Sequence, residues 1–292
     1  MRAGCPDDYP ALCAIWSEEV RRGARDSVPD RSWLQRQMGD FDWEARSRAL
    51  ENGTGPQGFV LVWHREGMEG TVARLETAAR SEPARLELLE WGLRLSRAAG
   101  ASAAQAWLPA DYDAAALAPL GLSPVRPFWR MDRADLEGVP AAPLAAGYRL
   151  AVPAQPGVAA QTFNQAFADH WRFSPVTADQ VRSYGQPADL CLIAMTEDDT
   201  PAAIVWSALE EHDADTRAQP VGLVNVVGTV PGHRRQGLGL ALTAEALRRL
   251  DRHSARSASL YVDAMNPTRA YELYRRLGFE VAYQYQVFEA RW

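Results

Sequence analysis

The 292-residue chain lacks lysine altogether, so all 31 of its basic residues are arginine. No lysine amine is therefore available for nucleophilic catalysis. The net charge of -6 argues against nucleic acid as a partner. The same excess of negative charge favours a cationic ligand.

Cysteine and long apolar runs are also scarce. Three cysteines are present, Cys5, Cys13 and Cys191, an odd number without metal-site spacing, and reduced thiols are the ordinary state in a cytoplasm. No apolar run approaches the ~20 residues that a spanning helix needs, and residues 1–8 lack the apolar core of a signal peptide. We therefore expect a cytoplasmic protein without a membrane partner. We expect no metal either, because the other candidate ligands are scattered: His64, His212, His233 and His253.

The length indicates two domains, because a single domain typically takes about 150 residues. A stretch rich in proline and alanine, residues 136–146, is predicted to link residues 1–135 to residues 147–292. The second half mixes strand and helix patterns, which predicts an α/β (α+β) fold. Its predicted strands are residues 148–152, 190–196, 202–209, 221–230, 258–263 and a closing strand at 280–290, and its first helix is residues 158–171.

The most informative segment is Arg-Arg-Gln-Gly-Leu-Gly at residues 234–239. A valine-rich strand precedes it and ends at a Pro-Gly turn, and an amphipathic helix is predicted to follow from Gly237. Gly237 and Gly239 then lie at a helix N-terminus, where unpaired amides and the helix dipole favour an anion. Because glycine has no Cβ, a pyrophosphate can approach the backbone closely. Short glycine patterns also occur by chance, so a simple turn or helix cap remains an alternative.

A second motif follows the strand at 258–263: Asn-Pro-Thr-Arg-Ala-Tyr-Glu-Leu-Tyr-Arg-Arg-Leu-Gly-Phe at residues 266–279. The pair of motifs, in this order, resembles the GNAT superfamily of acyl-CoA-dependent N-acetyltransferases. The resemblance implies acetyl-CoA as acyl donor and assigns its pyrophosphate to a cradle formed by Arg234, Arg235, Gln236, Gly237, Leu238, Gly239, Leu240 and Ala241. It also assigns the pantetheine arm to the end of the preceding strand at Gly228, Thr229 and Val230.

The resemblance places Tyr274 as the general acid that protonates the departing thiolate. A tyrosine is protonated at neutral pH and can donate to a thiolate. Packing in the core is the alternative for Tyr274. Tyr271, one helical turn away, and Asn266 match positions near the cofactor, although Asn266 is explained equally well as a helix N-cap.

The first half shows a similar order of patterns, and Leu120-Gly121-Leu122 matches Leu277-Gly278-Phe279 at an offset of 157 residues. This predicts a diverged tandem repeat of GNAT-like domains, each a mixed, mostly antiparallel sheet flanked by helices. Where the second half has the glycine pair, the first has Arg-Ser-Glu-Pro-Ala-Arg at residues 80–85, and Leu117 stands in place of Tyr274. We therefore expect residues 1–135 not to bind acetyl-CoA productively.

The tandem arrangement resembles the mycothiol synthase group, which acetylates the cysteinyl amine of a small thiol conjugate. In that group a glutamate in the strand before the cradle serves as base, and Leu223 occupies that position here. The base is then a water, Asn225 acting through a water, or His170 with Asp169 as its charge partner. The alternative for His170 is a helix-end residue packed under Trp171 and Phe173.

These patterns predict an N-acetyltransferase that acts on a primary amine of a small molecule. Two alternatives remain at this stage. One is a protein or peptide N-acetyltransferase. The other is a CoA-binding regulatory module that has lost catalysis with the glutamate.

Overall fold

The chain forms two compact units, and its last strand returns to the first of them. The computed structural model describes residues 1–28, 41–183, 186–210 and 220–292, so His212 lies outside the described residues. The first unit consists of residues 1–128 and 283–292. The second consists of the described residues between 129 and 282.

The order of elements agrees closely with the patterns in the sequence. Up to residue 133 the elements are β1 (Arg2–Ala3), α1 (Tyr9–Arg21), α2 (Trp43–Arg46), β2 (Ser47–Asn52), β3 (Gly55–Gly67), β4 (Gly70–Ala79), α3 (Glu82–Ala98), β5 (Ala103–Pro109), α4 (Ala114–Leu117) and β6 (Ser123–Arg133). They continue with β7 (Tyr148–Ala151), α5 (Pro156–Phe167), α6 (Ala178–Ser183), β8 (Cys191–Thr196), β9 (Pro201–Glu210), β10 (Val221–Thr229), α7 (Leu238–Arg252), β11 (Ser257–Asp263), α8 (Ala270–Arg276) and β12 (Glu280–Arg291).

Each unit is a mixed, mostly antiparallel sheet with helices packed on it. In the first unit the strand order is β1-β2-β3-β4-β5-β12, and β4 and β5 are the parallel pair. In the second unit the order is β6-β11-β10-β9-β8-β7, and β10 and β11 are the parallel pair. The predicted fold class is confirmed, and the same order of strands recurs in both units.

Helix α7 shows how the sequence fixes the core of the second unit. Its apolar stripe, which includes Leu242, Leu247 and Leu250, is fully buried, and each such side chain contributes about 1.5–3 kcal/mol. Gly222 of β10 is required for this packing, because a Cβ there would lie 2.6 Å from Leu250 Cδ1. The helix therefore lies directly against the strand that leads into the Arg-Arg-Gln-Gly-Leu-Gly segment.

Two boundaries differ from the sequence-based expectation. Helix α5 ends at Phe167 rather than 171, because the chain turns there: the His170 amide donates to the Phe167 carbonyl, and Arg172 has a φ of 54°. Within residues 266–279 only α8 is helical, and Arg269 with a φ of 53° precedes it. No helix among the described segments is long and apolar enough to cross a membrane.

We expected the closing strand to complete the sheet of its own half. Instead it pairs with a strand of the first unit. Residues Tyr285 to Arg291 of β12 pair antiparallel with β5 of the first unit, and Phe288 is buried in that unit's core. The alternation of apolar residues in β12 predicts a strand but cannot specify its partner. The N-terminal unit is therefore built partly from the C-terminal end of the chain.

Replacement of Phe288 by alanine should destabilise the first unit by about 3–5 kcal/mol, since a fully buried aromatic side chain is removed. Hydrogen exchange should then be faster in β5, which pairs with β12. Gln284→Ala is the matched control, because this exposed side chain lies on the same strand. Unchanged exchange in β5 of the Phe288 variant would contradict the pairing.

Candidate functional site

The predicted cradle is an uncapped helix N-terminus reached through a left-handed turn. After β10, a 3₁₀ turn at Pro231–His233 leads to Arg235 and Gly237, whose φ angles are 67° and 78°. Gly237 is the N-cap of the 15-residue α7, and no side chain caps the helix. The first-turn amides therefore have no intrahelical partner. Because residues 235–237 are exposed, the backbone here suits a pyrophosphate.

Gly239 allows close packing around the cradle. A Cβ at this position would lie 3.1 Å from Leu273 Cδ1 of α8 and 3.6 Å from Val227 Cγ1 of β10. A larger residue would push these elements apart. The glycine therefore joins the first turn of α7 to the helix that carries Tyr274.

Strands β10 and β11 separate beside the cradle. Their parallel ladder covers only Val221 to Leu223 against Ser257 to Ser259, although both strands continue for several residues. A β-bulge lies in β10 between Val224 and Val226, and Asn225 is exposed there. Beyond Leu223 the described residues of β11 do not pair with β10, so this ladder leaves the β11 side of β10 unused. We call this opening the slot. The bulge was missed from sequence, although Asn225 is the single polar side chain in a run of valine, leucine and glycine.

The strand end assigned to the pantetheine arm is largely engaged within the chain. A Cβ at Gly228 would lie 2.5 Å from Phe167 Cε2, so this glycine allows α5 to approach β10. The Thr229 carbonyl accepts from Arg234 Nε at 3.1 Å, and the Val230 amide donates to the Ala202 carbonyl at 2.9 Å. These groups of Thr229 and Val230 therefore hold the loop in place.

Arg234, which the sequence-based interpretation assigns to the cradle, is engaged within the chain. Its guanidinium forms a bidentate ion pair with Asp169 at 2.6 and 2.8 Å. The hydrogen bond from Arg234 holds the pKa of Asp169 below its usual value. Asp169 is thus engaged mainly by Arg234, and the charge of His170 contributes less to lowering its pKa. Arg235 is exposed and has no ion-pair partner among the described residues, so it is the cation available at the cradle.

His170 is partly exposed and lies just past the end of α5. Its Nδ1 lies 3.0 Å from the Trp171 carbonyl oxygen, and its ring contacts Phe167 edge-on at 5.7 Å. The backbone carbonyl therefore fixes a proton on Nδ1, which leaves Nε2 as the basic nitrogen.

Asn266 has a local structural role that differs from the expected helix cap. Its Oδ1 accepts from the Thr268 amide at 2.9 Å and from the Thr268 hydroxyl at 2.8 Å. Helix α8 begins only at Ala270, so Asn266 closes an Asx turn before the helix. Tyr271 follows on α8, partly exposed, and contacts Trp129 edge-on at 5.3 Å.

Tyr274 lies in the core of the second unit and is 6% exposed. Its ring contacts Phe279 at 6.1 Å, and Leu238 of α7 belongs to the same buried cluster. Burial raises the pKa of Tyr274 above its usual value near 10. Core packing and a proton-donating hydroxyl are therefore compatible in this residue.

Residues 159–279 match the family model described as the acetyltransferase (GNAT) family. The mycothiol acetyltransferase of Catenulispora acidiphila is 31% identical over 252 residues, which cover 81% of this chain and 78% of that protein. The chain belongs to the GNAT family of acetyltransferases. The mycothiol acetyltransferase of Thermobispora bispora is 33% identical over 190 residues, 62% of this chain and 63% of that protein. The chain thus spans about three fifths of the length of this relative.

Solved GNAT structures share the fold of the whole chain. A GCN5-related N-acetyltransferase from Sphaerobacter thermophilus has a TM-score of 0.79 at 21% identity, covering 99% of this chain and 94% of that one. A tandem GNAT protein from the clavulanic acid biosynthesis pathway has a TM-score of 0.66 at 15% identity, covering 99% and 97%. At these identities the likeness supports the tandem fold alone.

The first unit has the same GNAT framework, but its counterpart of the slot is closed. The parallel ladder of β4 and β5 ends at Leu75 and Ala106. Arg85, which takes the place of Gly239 in the repeat, is buried and donates to Thr77 Oγ1 at 2.7 Å and to Glu19. The Glu19 carboxylate also accepts from the Ala79 amide at 2.9 Å. The side chains of Glu19 and Arg85 thus form hydrogen bonds with groups of β4 that an open slot would leave available to a ligand.

A small polar cavity of about 30 Å³ adjoins this pair in the first unit. Arginine side chains line it, but Arg25 is already paired with Glu76 and Glu19. These ion pairs neutralise the cavity wall. The cavity is therefore a weaker candidate for an anionic ligand than the cradle in the second unit.

We expect titration calorimetry to give one CoA per chain, because only the second unit has an open slot and an uncapped cradle. Gly239→Arg, which introduces the residue found at position 85, should abolish this binding by crowding Leu273. Gly232→Ala is the matched control, since a Cβ there meets open space. Two CoA molecules per chain, or full binding by the arginine variant, would contradict the assignment.

Proposed function

We propose that the second unit transfers the acetyl group of acetyl-CoA to a primary amine of a small molecule. The observation that carries this proposal is the uncapped N-terminus of α7 beside the open end of the β10–β11 ladder. Amides 238–240 and Arg235 would hold the pyrophosphate. The unpaired edge of β10 would hold the pantetheine arm by backbone hydrogen bonds.

The chemistry is direct attack without a covalent enzyme intermediate. The neutral amine nitrogen bonds to the thioester carbonyl carbon, the C–S bond breaks, and the Tyr274 hydroxyl gives its proton to the thiolate. The nitrogen releases its extra proton to water as the amide forms, and Tyr274 regains a proton from water. The deep burial of Tyr274 supports this role, because its raised pKa keeps the phenol protonated. Backbone amides near the slot would stabilise the oxyanion that forms during attack.

The amine must lose a proton before it attacks. Leu223 is buried in the ladder, where it pairs with Ser259 and Ala208, so this position supplies no base. Asn225 is exposed at the bulge and can act only through a water. We favour His170, since its Nδ1 contact with the Trp171 carbonyl leaves Nε2 free to accept a proton.

The relatives support a small acceptor, because several of them are named mycothiol acetyltransferase. We therefore place cysteinyl conjugates of small molecules first among the amines to be tested. A CoA-binding module without catalysis is the second candidate, favoured by the apolar Leu223. Stimulation of thiol release by peptides alone would instead support a peptide N-acetyltransferase.

Tyr274→Phe should lower turnover at least ~10-fold, because the thiolate then leaves without a proton donor. The measurement is release of CoA thiol from acetyl-CoA with small amines, aminoglycosides, cysteinyl conjugates and peptides. Tyr283→Phe is the matched control: it also removes a tyrosine hydroxyl, here one that donates to the Gly23 carbonyl in the first unit. Tight CoA binding with no turnover on any amine would favour the binding module.

The pH profile tests the same residue. Tyr274 is active as the protonated form, and that form is lost only as pH rises through its pKa, which burial places above 10. We therefore expect kcat to show no decline between about pH 8 and 10. A fall with an apparent pKa near 9 would exclude Tyr274 as the acid, provided that circular dichroism shows the protein folded across the range.

A further inference from the structure

The guanidinium of Arg234 is almost fully used within the second unit. Besides the two bonds to Asp169, Nε donates to the Thr229 carbonyl and Nη2 donates to the Ala166 carbonyl, both at 3.1 Å. Four of its five N–H groups are thus engaged. Binding a pyrophosphate through these groups would require breaking bonds that the chain already makes.

These contacts join three segments. Thr229 ends β10, Ala166 lies in the last turn of α5, and Asp169 begins the segment that follows this helix. A carbonyl in the last turn of a helix lacks an intrahelical hydrogen-bond donor, and this end of the helix dipole is negative. A cation here is favoured for both reasons. The close approach of α5 at Gly228 brings these segments within reach of one side chain.

The segment of residues 168–177, which we call the acceptor segment, is also fixed at its far end. Asn164 Nδ2 donates to the Val176 carbonyl at 2.9 Å, and the Val176 amide donates to Asn164 Oδ1 at 2.9 Å. Arg234 and Asn164 therefore hold the two ends of the segment. Between these ends lies His170.

The internal repeat supplies independent support. Arg80, which matches Arg234 in the repeat, forms a bidentate ion pair with Glu18 in the last turn of α1 at 2.9 and 2.7 Å. Its Nη1 donates to the Pro56 carbonyl at 3.0 Å. The first unit has lost the cradle glycines but has kept this arginine and its carboxylate. The contact therefore exists where no cradle is present.

We propose that Arg234 is a positioning residue, which together with Asp169 holds the acceptor segment against the cradle loop, and that Arg235 is the cation for the pyrophosphate. This assignment rests on the proposed acetyl transfer. It separates two neighbouring arginines by role: Arg234 controls the amine side of the site, and Arg235 controls the acetyl-CoA side.

Three variants test the assignment: Asp169→Asn, Arg234→Lys and Arg235→Gln. Lysine at 234 keeps the positive charge but lacks the planar guanidinium. It could therefore still pair with a phosphate, but it could not form the hydrogen bonds that Arg234 makes within the chain. We expect the 169 and 234 variants to raise the KM for the amine ~5-fold or more, with the CoA Kd changed less than about twofold. The Arg235 variant should raise the CoA Kd and leave the amine KM unchanged.

A phosphate role for Arg234 predicts a different pattern. Removal of the Asp169 charge would then free Arg234 and tighten CoA binding, and Arg234→Lys would behave as the parent protein. Either result would overturn the proposal. The double variant Asp169→Asn/Arg234→Lys should be no worse than the more impaired single variant, because both changes break one contact.

Hydrogen exchange provides a readout that does not require turnover. Amides of the acceptor segment should exchange faster in the 169 and 234 variants and at the parental rate in Arg235→Gln. If no amine is acetylated but these exchange rates change as expected, the positioning role stands and the proposed function fails. If an amine is turned over but the exchange rates do not change, the positioning role fails alone.

Discussion

The proposed site in the second unit depends on a parallel ladder that stops early. Strands β10 and β11 share only three paired positions, and β10 has a bulge at Asn225 just beyond them. A sheet leaves backbone groups unpaired only where something else satisfies them. In the second unit that partner is the proposed acyl donor. The uncapped start of α7 follows the end of the same strand, so under the proposed function amides of a strand and of a helix would hold one ligand.

The first unit shows how the same framework loses this property. Its ladder between β4 and β5 is also short. Here, however, the anion is the Glu19 carboxylate and the cation is the Arg85 guanidinium, so both charges come from the chain itself. The Glu19 carboxylate accepts a hydrogen bond from a backbone amide, as a phosphate oxygen would. Arg85 satisfies the carboxylate, which makes burial of both charges tolerable. At this position of the repeat the second unit, with the open slot, has Gly239, and the first unit, with the closed slot, has Arg85.

Sequence reasoning succeeded where a local pattern has only one structural solution. The glycines before α7, the helix itself and the strand before it follow from spacing and turn chemistry, and the tandem halves follow from the repeated Leu-Gly segment. It did not find the turn that the Asn266 side-chain oxygen closes before α8, or the partner of β12. It also missed the hydrogen bond of 2.9 Å between the Tyr148 hydroxyl and His233 Nδ1, which ties β7 to the turn before the cradle.

The amino-acid sequence by itself determined the family, the mixed sheets and the position of the cradle, because these depend on residues close together in the chain. Tertiary structure decided which arginine is free. Arg234 and Arg235 are adjacent and chemically identical, but only Arg234 meets Asp169, 65 residues away, once α5 packs on β10. Tertiary structure likewise decided that Tyr274 is buried and keeps its proton, since desolvation is a property of the packed core and not of a motif.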